Sequence, residues 1–187
     1  TPLHVAALNG HKDVVMRLLN YGVDANSETM HAETALLLAA KNHHIEVIDC
    51  LLTHCKDINV LSRNKSGISA FLAIASIAET RLLQQVLTKI SDENKLQQTD
   101  CDGNNACYFA AAANQLENLK RLYRLSVNIK NVNTHGVTPL MRAACNSGTI
   151  DVIRFLRENG ASLSQKDCAE NSVANFAAMF GQLDVLK

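Results

Sequence analysis

Seven residues, Thr1-Pro2-Leu3-His4-Val5-Ala6-Ala7, open this chain, and a variant of them, Thr138-Pro139-Leu140-Met141-Arg142-Ala143-Ala144, returns far downstream. Starts of the same kind fall at Thr1, Thr34, Ser69, Asn105, Thr138 and Ser172, spaced 33, 35, 36, 33 and 34 residues apart. A nearly fixed period constrains the fold more than any composition figure does. It describes a chain made of one small unit, each copy burying its apolar face only against its neighbours. Such a chain carries its function on a surface rather than in a deep pocket.

Other landmarks recur in phase. Alanine pairs stand at Ala6-Ala7, Ala39-Ala40, Ala110-Ala111, Ala143-Ala144 and Ala177-Ala178, with Ile74-Ala75 in the third unit. Apolar pairs follow at Val14-Val15, Val47-Ile48, Leu82-Leu83, Val152-Ile153 and Val185-Leu186, and then at Leu18-Leu19, Leu51-Leu52, Val86-Leu87 and Leu122-Tyr123. Thr or Ser at a start accepts from the orphan N–H groups of a helix. Pro in the first turn presets the backbone dihedral without losing a hydrogen bond. Alanine pairs favour helix and let two helices approach closely. Apolar residues at i, i+1, i+4 and i+5 make one helical face. Gly22 and Gly160 close the second segment as left-handed caps, with Cys55, Ile90 and Ser126 in the equivalent places. Each unit therefore reads as helix, turn, helix and a polar connection rich in Asn, Asp and Gly, which tolerate the positive φ of tight turns.

A period near 33 with a Thr-Pro-Leu-His-x-Ala start resembles the ankyrin-repeat family, and the resemblance extends over the whole chain. It implies an all-α solenoid of about six helix-turn-helix units joined by β-hairpin-like fingers. The units are expected at 1–33, 34–68, 69–104, 105–137, 138–171 and a truncated 172–187, forming one array over 1–187. Tetratricopeptide units, at 34 residues, are the rival solenoid. The Asp/Asn/Gly connections and the Thr-Pro-Leu starts count against them.

The chain departs from the family pattern. The His survives only at His4, replaced by Leu37, Leu72, Tyr108, Met141 and Asn175. The finger Gly is lost at Ala32 and Glu170. The third unit diverges most: it lacks the inter-helix Gly, and its exit, Ser91 to Lys95, carries most of the extra length. A longer finger or a change of curvature is expected there. One residue is inserted near Asn146-Ser147-Gly148. The array begins without a preceding finger and stops partway through a second helix, so a fragment of a longer protein is expected.

Composition narrows the function. Lys+Arg and Asp+Glu number 18 each, and this balance offers no electrostatic footprint for nucleic acid or a membrane surface. The longest apolar stretch, Ile68 to Ala78, is about half of the ~20 residues that span a bilayer. The six cysteines form no Cys-x-x-Cys pair and read as reduced packing residues of a cytoplasmic protein, or of the host cytosol for a secreted bacterial effector. Cys50, His54 and Cys55 put soft ligands near one another without completing a zinc set, so no metal or cofactor is expected. Asp100-x-Asp102-Gly103-Asn104 looks like the start of a calcium loop but lacks the downstream Glu, and reads as a turn. No phosphate loop and no local nucleophile–base–acid signature occurs, and catalysis is not expected.

The resemblance implies a protein-interaction module, monomeric, with no nucleic-acid partner and no membrane insertion. It recognises another protein on the concave surface made by fingers and first helices. The positions matching the family's variable slots on the fingers are Met30, His31, Glu33, Lys65, Ser66, Ile68, Asp102, Asn104, Thr134, His135 and Val137. Those at the ends of first helices are Leu8, Asn9, Lys41, Asn42, Ile77 and Asn146. Leu8, Ile77, Met179 and Phe180 are expected to form exposed apolar surface, which marks binding sites. The alternative is a regulatory or targeting segment of a larger multidomain protein, such as an enzyme, channel or secreted bacterial effector.

Overall fold

The computed structural model describes residues 1–186 and contains α-helices, turns and isolated bridges, with no strand among the described residues. Twelve α-helices follow as consecutive pairs: α1 (Pro2–Leu8) with α2 (Lys12–Asn20), α3 (Ala35–Lys41) with α4 (Ile45–His54), and α5 (Ala70–Ile74) with α6 (Thr80–Thr88). Then come α7 (Ala106–Ala112) with α8 (Leu116–Arg124), α9 (Pro139–Ala143) with α10 (Ile150–Glu158), and α11 (Val173–Met179) with α12 (Leu183–Leu186). First helices pack on first helices and second on second, giving two parallel rows. One apolar core runs between the rows from Leu3 to Ala177.

The start residues act as the sequence requires. Thr34 and Thr138 hydroxyls accept from Leu37 N and Met141 N, each at 3.2 Å, and the Asn105 amide oxygen accepts from Tyr108 N at 3.1 Å. These bonds satisfy donors that a helix start leaves unpaired. Ala7, Ala39, Ala110, Ala111, Ala143 and Ala144 are buried where the first helices stack. A larger side chain there has no room.

His4 is buried and bridges to the following connection, with Nε2 at 2.9 Å from Ser27 O. Asn105 takes over that duty in the fourth pair, donating from Nδ2 to Asn128 O at 2.7 Å. The loss of the family His is thus compensated there by the capping residue itself.

The third pair differs from expectation. Its finger is of ordinary length: the bridge Thr99↔Asn105 spans the same interval as Glu28↔Thr34 and Arg63↔Ser69. The extra residues instead form a 3₁₀ turn, Glu93–Gln97, between α6 and the finger. Leu96 anchors that turn in the core, in register with Ala25 and Val60 of the preceding pairs. The turn between α5 and α6 contains no positive-φ residue, unlike those at Gly10, His43, Asn114 and Gly148. Asn118, reaching from α8, holds it from behind by donating to Ala75 O at 3.1 Å and Ile77 O at 2.7 Å.

Candidate interaction surface

The fingers are five copies of one tight turn. In each, the first residue (Thr29, Asn64, Asp100, Asn133 or Asp167) accepts on one side-chain oxygen from the backbone N–H two and four positions on. Its own N–H donates to the carbonyl four residues later, at 3.0–3.1 Å. Such side-chain turns are why Asn, Asp and Thr occupy that place. The Asp100 carboxylate is engaged in full: one oxygen takes Asp102 N and Asn104 N, the other takes Asn104 Nδ2 at 2.9 Å. Its role is the turn.

Successive fingers are joined by a backbone ladder. Lys65 N donates to His31 O at 3.2 Å, Cys101 N to Ser66 O at 3.0 Å, Thr134 N to Asp102 O at 2.8 Å, and Cys168 N to His135 O at 2.9 Å. Each link uses the second residue of one finger and the third of the one before. The side chains of those same residues are the finger tips, and the ladder fixes their spacing.

Exposed among the expected site residues are Leu8, Asn9, Met30, His31, Lys41, Asn42, Lys65, Ser66, Asp102, Thr134 and His135; Met30 is 82 % exposed. Glu33, Ile68, Val137 and Asn146 are half-buried. Ile77 and Asn104 correct the sequence expectation. Ile77 is 2 % exposed, because the glycine-free turn of the third pair folds its side chain into the core. Asn104 is 7 % exposed, its amide shared between Asp100 and the Nδ2 of Asn133 at 2.9 Å. Neither presents a surface to a partner.

Several polar positions are also satisfied internally. Asn9 and Asn42 each turn back to the carbonyl four residues earlier, at 2.8 Å, and Asn146 donates to Ala112 O at 2.6 Å. Lys41 pairs with Glu33 at 2.7 Å. Burial raises the Glu33 carboxyl, but the Lys41 bond and charge outweigh it and hold the group below its ordinary value. Leu8, Met30, His31, Lys65 and Asp102 are left with side chains free of hydrogen bonds and ion pairs among the described residues.

Two residues beside the fingers escaped the sequence reading. Tyr108 and Arg142 are half-buried on α7 and α9. Burial pushes the Tyr108 phenol up, and the Arg142 charge opposes the shift; Cys145, Asp100 and Asp102 are also near enough to act on it. The available signal was Arg142 itself, a charge at the position occupied by Val5 in the opening phrase.

A family profile described as ankyrin repeats (3 copies) matches residues 1–64 and 70–167. The chain belongs to the ankyrin-repeat family. Its fold is likewise that of solved ankyrin-repeat structures. An ankyrin repeat domain from Acinetobacter baumannii AYE superposes with a TM-score of 0.73 at 22 % identity, covering 98 % of this chain and 93 % of that one. The ankyrin repeat protein EF0377 superposes with a TM-score of 0.75 at 24 % identity, covering 98 % and 94 %. Among curated relatives, rabankyrin-5 of Mus musculus is 25 % identical over 167 residues, or 88 % of this chain. The ankyrin repeat and KH domain-containing protein mask-1 of Caenorhabditis elegans is 32 % identical over 161 residues, or 86 % of this chain. The probable E3 ubiquitin-protein ligase XBOS33 of Oryza sativa subsp. japonica is 28 % identical over 181 residues, or 94 %. The chain spans only 14 %, 6 % and 34 % of these three relatives, respectively. Ankyrin repeats are generally protein-interaction modules, and here the homologues carry them as parts of larger proteins. No helix among the described residues is long and apolar enough to cross a membrane.

Proposed function

We propose that this ankyrin array is a protein-binding module that holds a partner protein against its finger tips and first helices. The observation that carries the reading is the finger ladder. Backbone bonds fix the spacing of the tips while Met30, His31, Lys65, Asp102 and His135 stay exposed. A surface ordered before binding loses little conformational entropy on association, so a modest number of contacts suffices. Met30 and Leu8 supply apolar area, Lys65 and Asp102 supply charges of opposite sign, and Tyr108 with Arg142 borders the fingers. Weak net charge on this face fits slow, unsteered association rather than electrostatic capture.

Affinity capture with the chain as bait, read by mass spectrometry, tests this reading. A parallel bait carries Met30→Ala, Lys65→Ala and His135→Ala. A partner held by the first and lost by the second supports the finger face. A partner held equally by both refutes it.

A second reading is favoured by the relatives. They include E3 ubiquitin-protein ligases, a palmitoyltransferase and a cation channel subunit, of which the chain spans 34 %, 22 % and 15 % in XBOS33, AKR1 and the channel subunit. In a longer protein of any such kind the array would act as the recruiting or regulatory segment, monomeric and facing the cytoplasm. The two readings share one surface and differ in what is attached to it.

A further inference from the structure

The second-helix row carries a feature that the finger face does not explain. Two pairs of neighbouring second helices are joined by side chains across the groove between them. Between α4 and α6, Arg81 and Gln85 both reach the Asp49 carboxylate, at 2.9 and 3.1 Å, and Lys89 Nζ donates to Cys55 O and Lys56 O at 3.1 and 3.2 Å. Between α8 and α10, the Tyr123 and Phe155 rings meet edge to face with centroids 5.7 Å apart. Between α6 and α8, no side-chain hydrogen bond or ion pair joins the two helices among the described residues. An open groove of about 400 Å³ lies there instead.

Its chemistry follows from aligning the helices by their first residues, Ile45, Thr80 and Leu116. Asp49 of α4 corresponds to Gln84 of α6. Gln85 and Lys89 of α6 correspond to Arg121 and Leu125 of α8. Where Asp49 receives polar groups from the next helix, Gln84 offers Arg121 no negative charge. Where Lys89 crosses to the preceding helix end, Leu125 cannot. The groove is lined by Gln84, Leu87, Thr88, Arg121, Arg124 and Leu125, two cations on an apolar floor without an acid. Neither guanidinium has a carboxylate within 4.0 Å among the described residues; the nearby Glu117 carboxylate is taken by Lys120 at 2.7 Å. Both arginines lie in the last turn of α8, where the helix dipole favours cations. The dipole accounts for their place; the Arg124 charge also acts on Glu117, but neither guanidinium has a carboxylate in contact among the described residues.

We propose that this groove docks an acidic–apolar peptide segment of a partner protein. A carboxylate side chain of that segment sits on Arg121 and Arg124, in the place Asp49 holds one groove earlier. An adjoining apolar side chain covers Leu87 and Leu125. Guanidinium groups pair with carboxylates through two parallel bonds, and the aliphatic floor supplies the area that an exposed ion pair alone lacks. This docking site is separate from the finger face and does not depend on it.

The test is panning of a phage-displayed random peptide library on the chain, followed by fluorescence polarisation with the enriched peptides made synthetically. Three variants are compared: R121Q/R124Q, Q84E, and the finger variant M30A/K65A/H135A. Q84E supplies Arg121 with the missing internal carboxylate and fills the site without unfolding anything. The expected result is enrichment of peptides with Asp or Glu beside Leu, Ile or Phe. Their Kd should rise about tenfold on R121Q/R124Q and on Q84E, and stay unchanged on the finger variant. Their binding should also weaken as salt rises. Peptides without an acid, peptides indifferent to R121Q/R124Q or to Q84E, or no enrichment would each overturn the proposal. Loss on the finger variant alone would assign the peptides to the finger face and overturn it equally.

Discussion

The fourth position of each finger is a matched experiment in backbone strain. Gly67, Gly103 and Gly136 hold φ of +76°, +82° and +78°, while Ala32 and Glu170 are forced to +57° and +64° at the same place. A residue with a Cβ loses roughly 1–2 kcal/mol in the left-handed region. Replacing it with glycine recovers that, less the roughly 0.4–1 kcal/mol by which glycine favours the unfolded chain. Ala32→Gly should therefore stabilise the array by about 0.5–1 kcal/mol. Gly136→Ala runs the other way. A Cβ there would stand 2.8 Å from Cys168 N and 2.9 Å from Asp167 Cα, both backbone atoms that cannot rotate aside. Strain and overpacking together should cost about 2–4 kcal/mol. Urea titrations followed by circular dichroism read both variants. With a slope of about 2 kcal/mol/M, the midpoint should rise about 0.25–0.5 M for Ala32→Gly and fall by about 1 M or more for Gly136→Ala. A destabilised Ala32→Gly, or a Gly136→Ala variant that melts like the parent, would refute the reasoning about the finger backbone.

Three further outcomes follow from the packing. Asn118→Ala strips two buried carbonyls, Ala75 O and Ile77 O, of their donor, and should cost about 1–3 kcal/mol, with hydrogen exchange accelerated first across residues 75–79. Unchanged exchange there would deny Asn118 its part in holding that turn. Ala111→Leu or Ala144→Leu, at fully buried positions between stacked first helices, should cost about 1–3 kcal/mol by thermal denaturation; an unchanged melting temperature would contradict the close approach of those helices. The Asp167 carboxyl, held down by backbone donation from Asn171 and by Asn171 and Ala169 groups besides, should titrate below the ordinary aspartate value in carboxyl-carbon NMR. Because its folded value is depressed, its contribution to the last finger is present above the unfolded value and lost as pH falls through the folded one. A titration at or above the ordinary value would remove that contribution.

Helices, their pairing and their capping were legible in the sequence because they depend on local devices: a hydroxyl or amide at each start, alanine pairs, and apolar residues on one face. The individual slots were less legible. Carrying the family's variable positions across residue by residue assumes that every turn has the same backbone. The turn of the third pair does not, and Ile77 went inward with it. Asn104 was misread for a different reason. Its exposure depends on Asp100 in its own finger and on Asn133 in the next, a contact between residues 29 apart that no spacing rule within one unit displays. The unclamped α6/α8 groove lay beyond the same horizon. Gln84 and Arg121 are unremarkable singly and become informative only when Asp49 and Gln85 show what joins the preceding pair of helices.

The uneven period has a physical cause that ties these departures together. The second helix must end in a reversal toward the next finger. Gly22, Ser126 and Gly160 make it with a single left-handed residue, at φ of +79°, +60° and +88°. These follow α2, α8 and α10. Cys55, after α4, caps its helix in extended backbone at φ −103°, and Ile90, after α6, has no positive φ either. A residue branched at Cβ, as isoleucine is, meets the left-handed conformation at its worst, so the chain turns there with more residues instead of a tighter one. The two exits without a left-handed cap are those behind the spacings of 35 and 36 residues. The 34-residue spacing has its extra residue between α9 and α10 and keeps the Gly160 cap. Length and cap are therefore two solutions to one steric problem. The longer solution, after α6, is also the one that places Leu96 in the core and lets Gln97 bond Ser126 O at 2.9 Å. What reads in the sequence as decay of the repeat is, in the third pair, a different set of contacts making the same reversal.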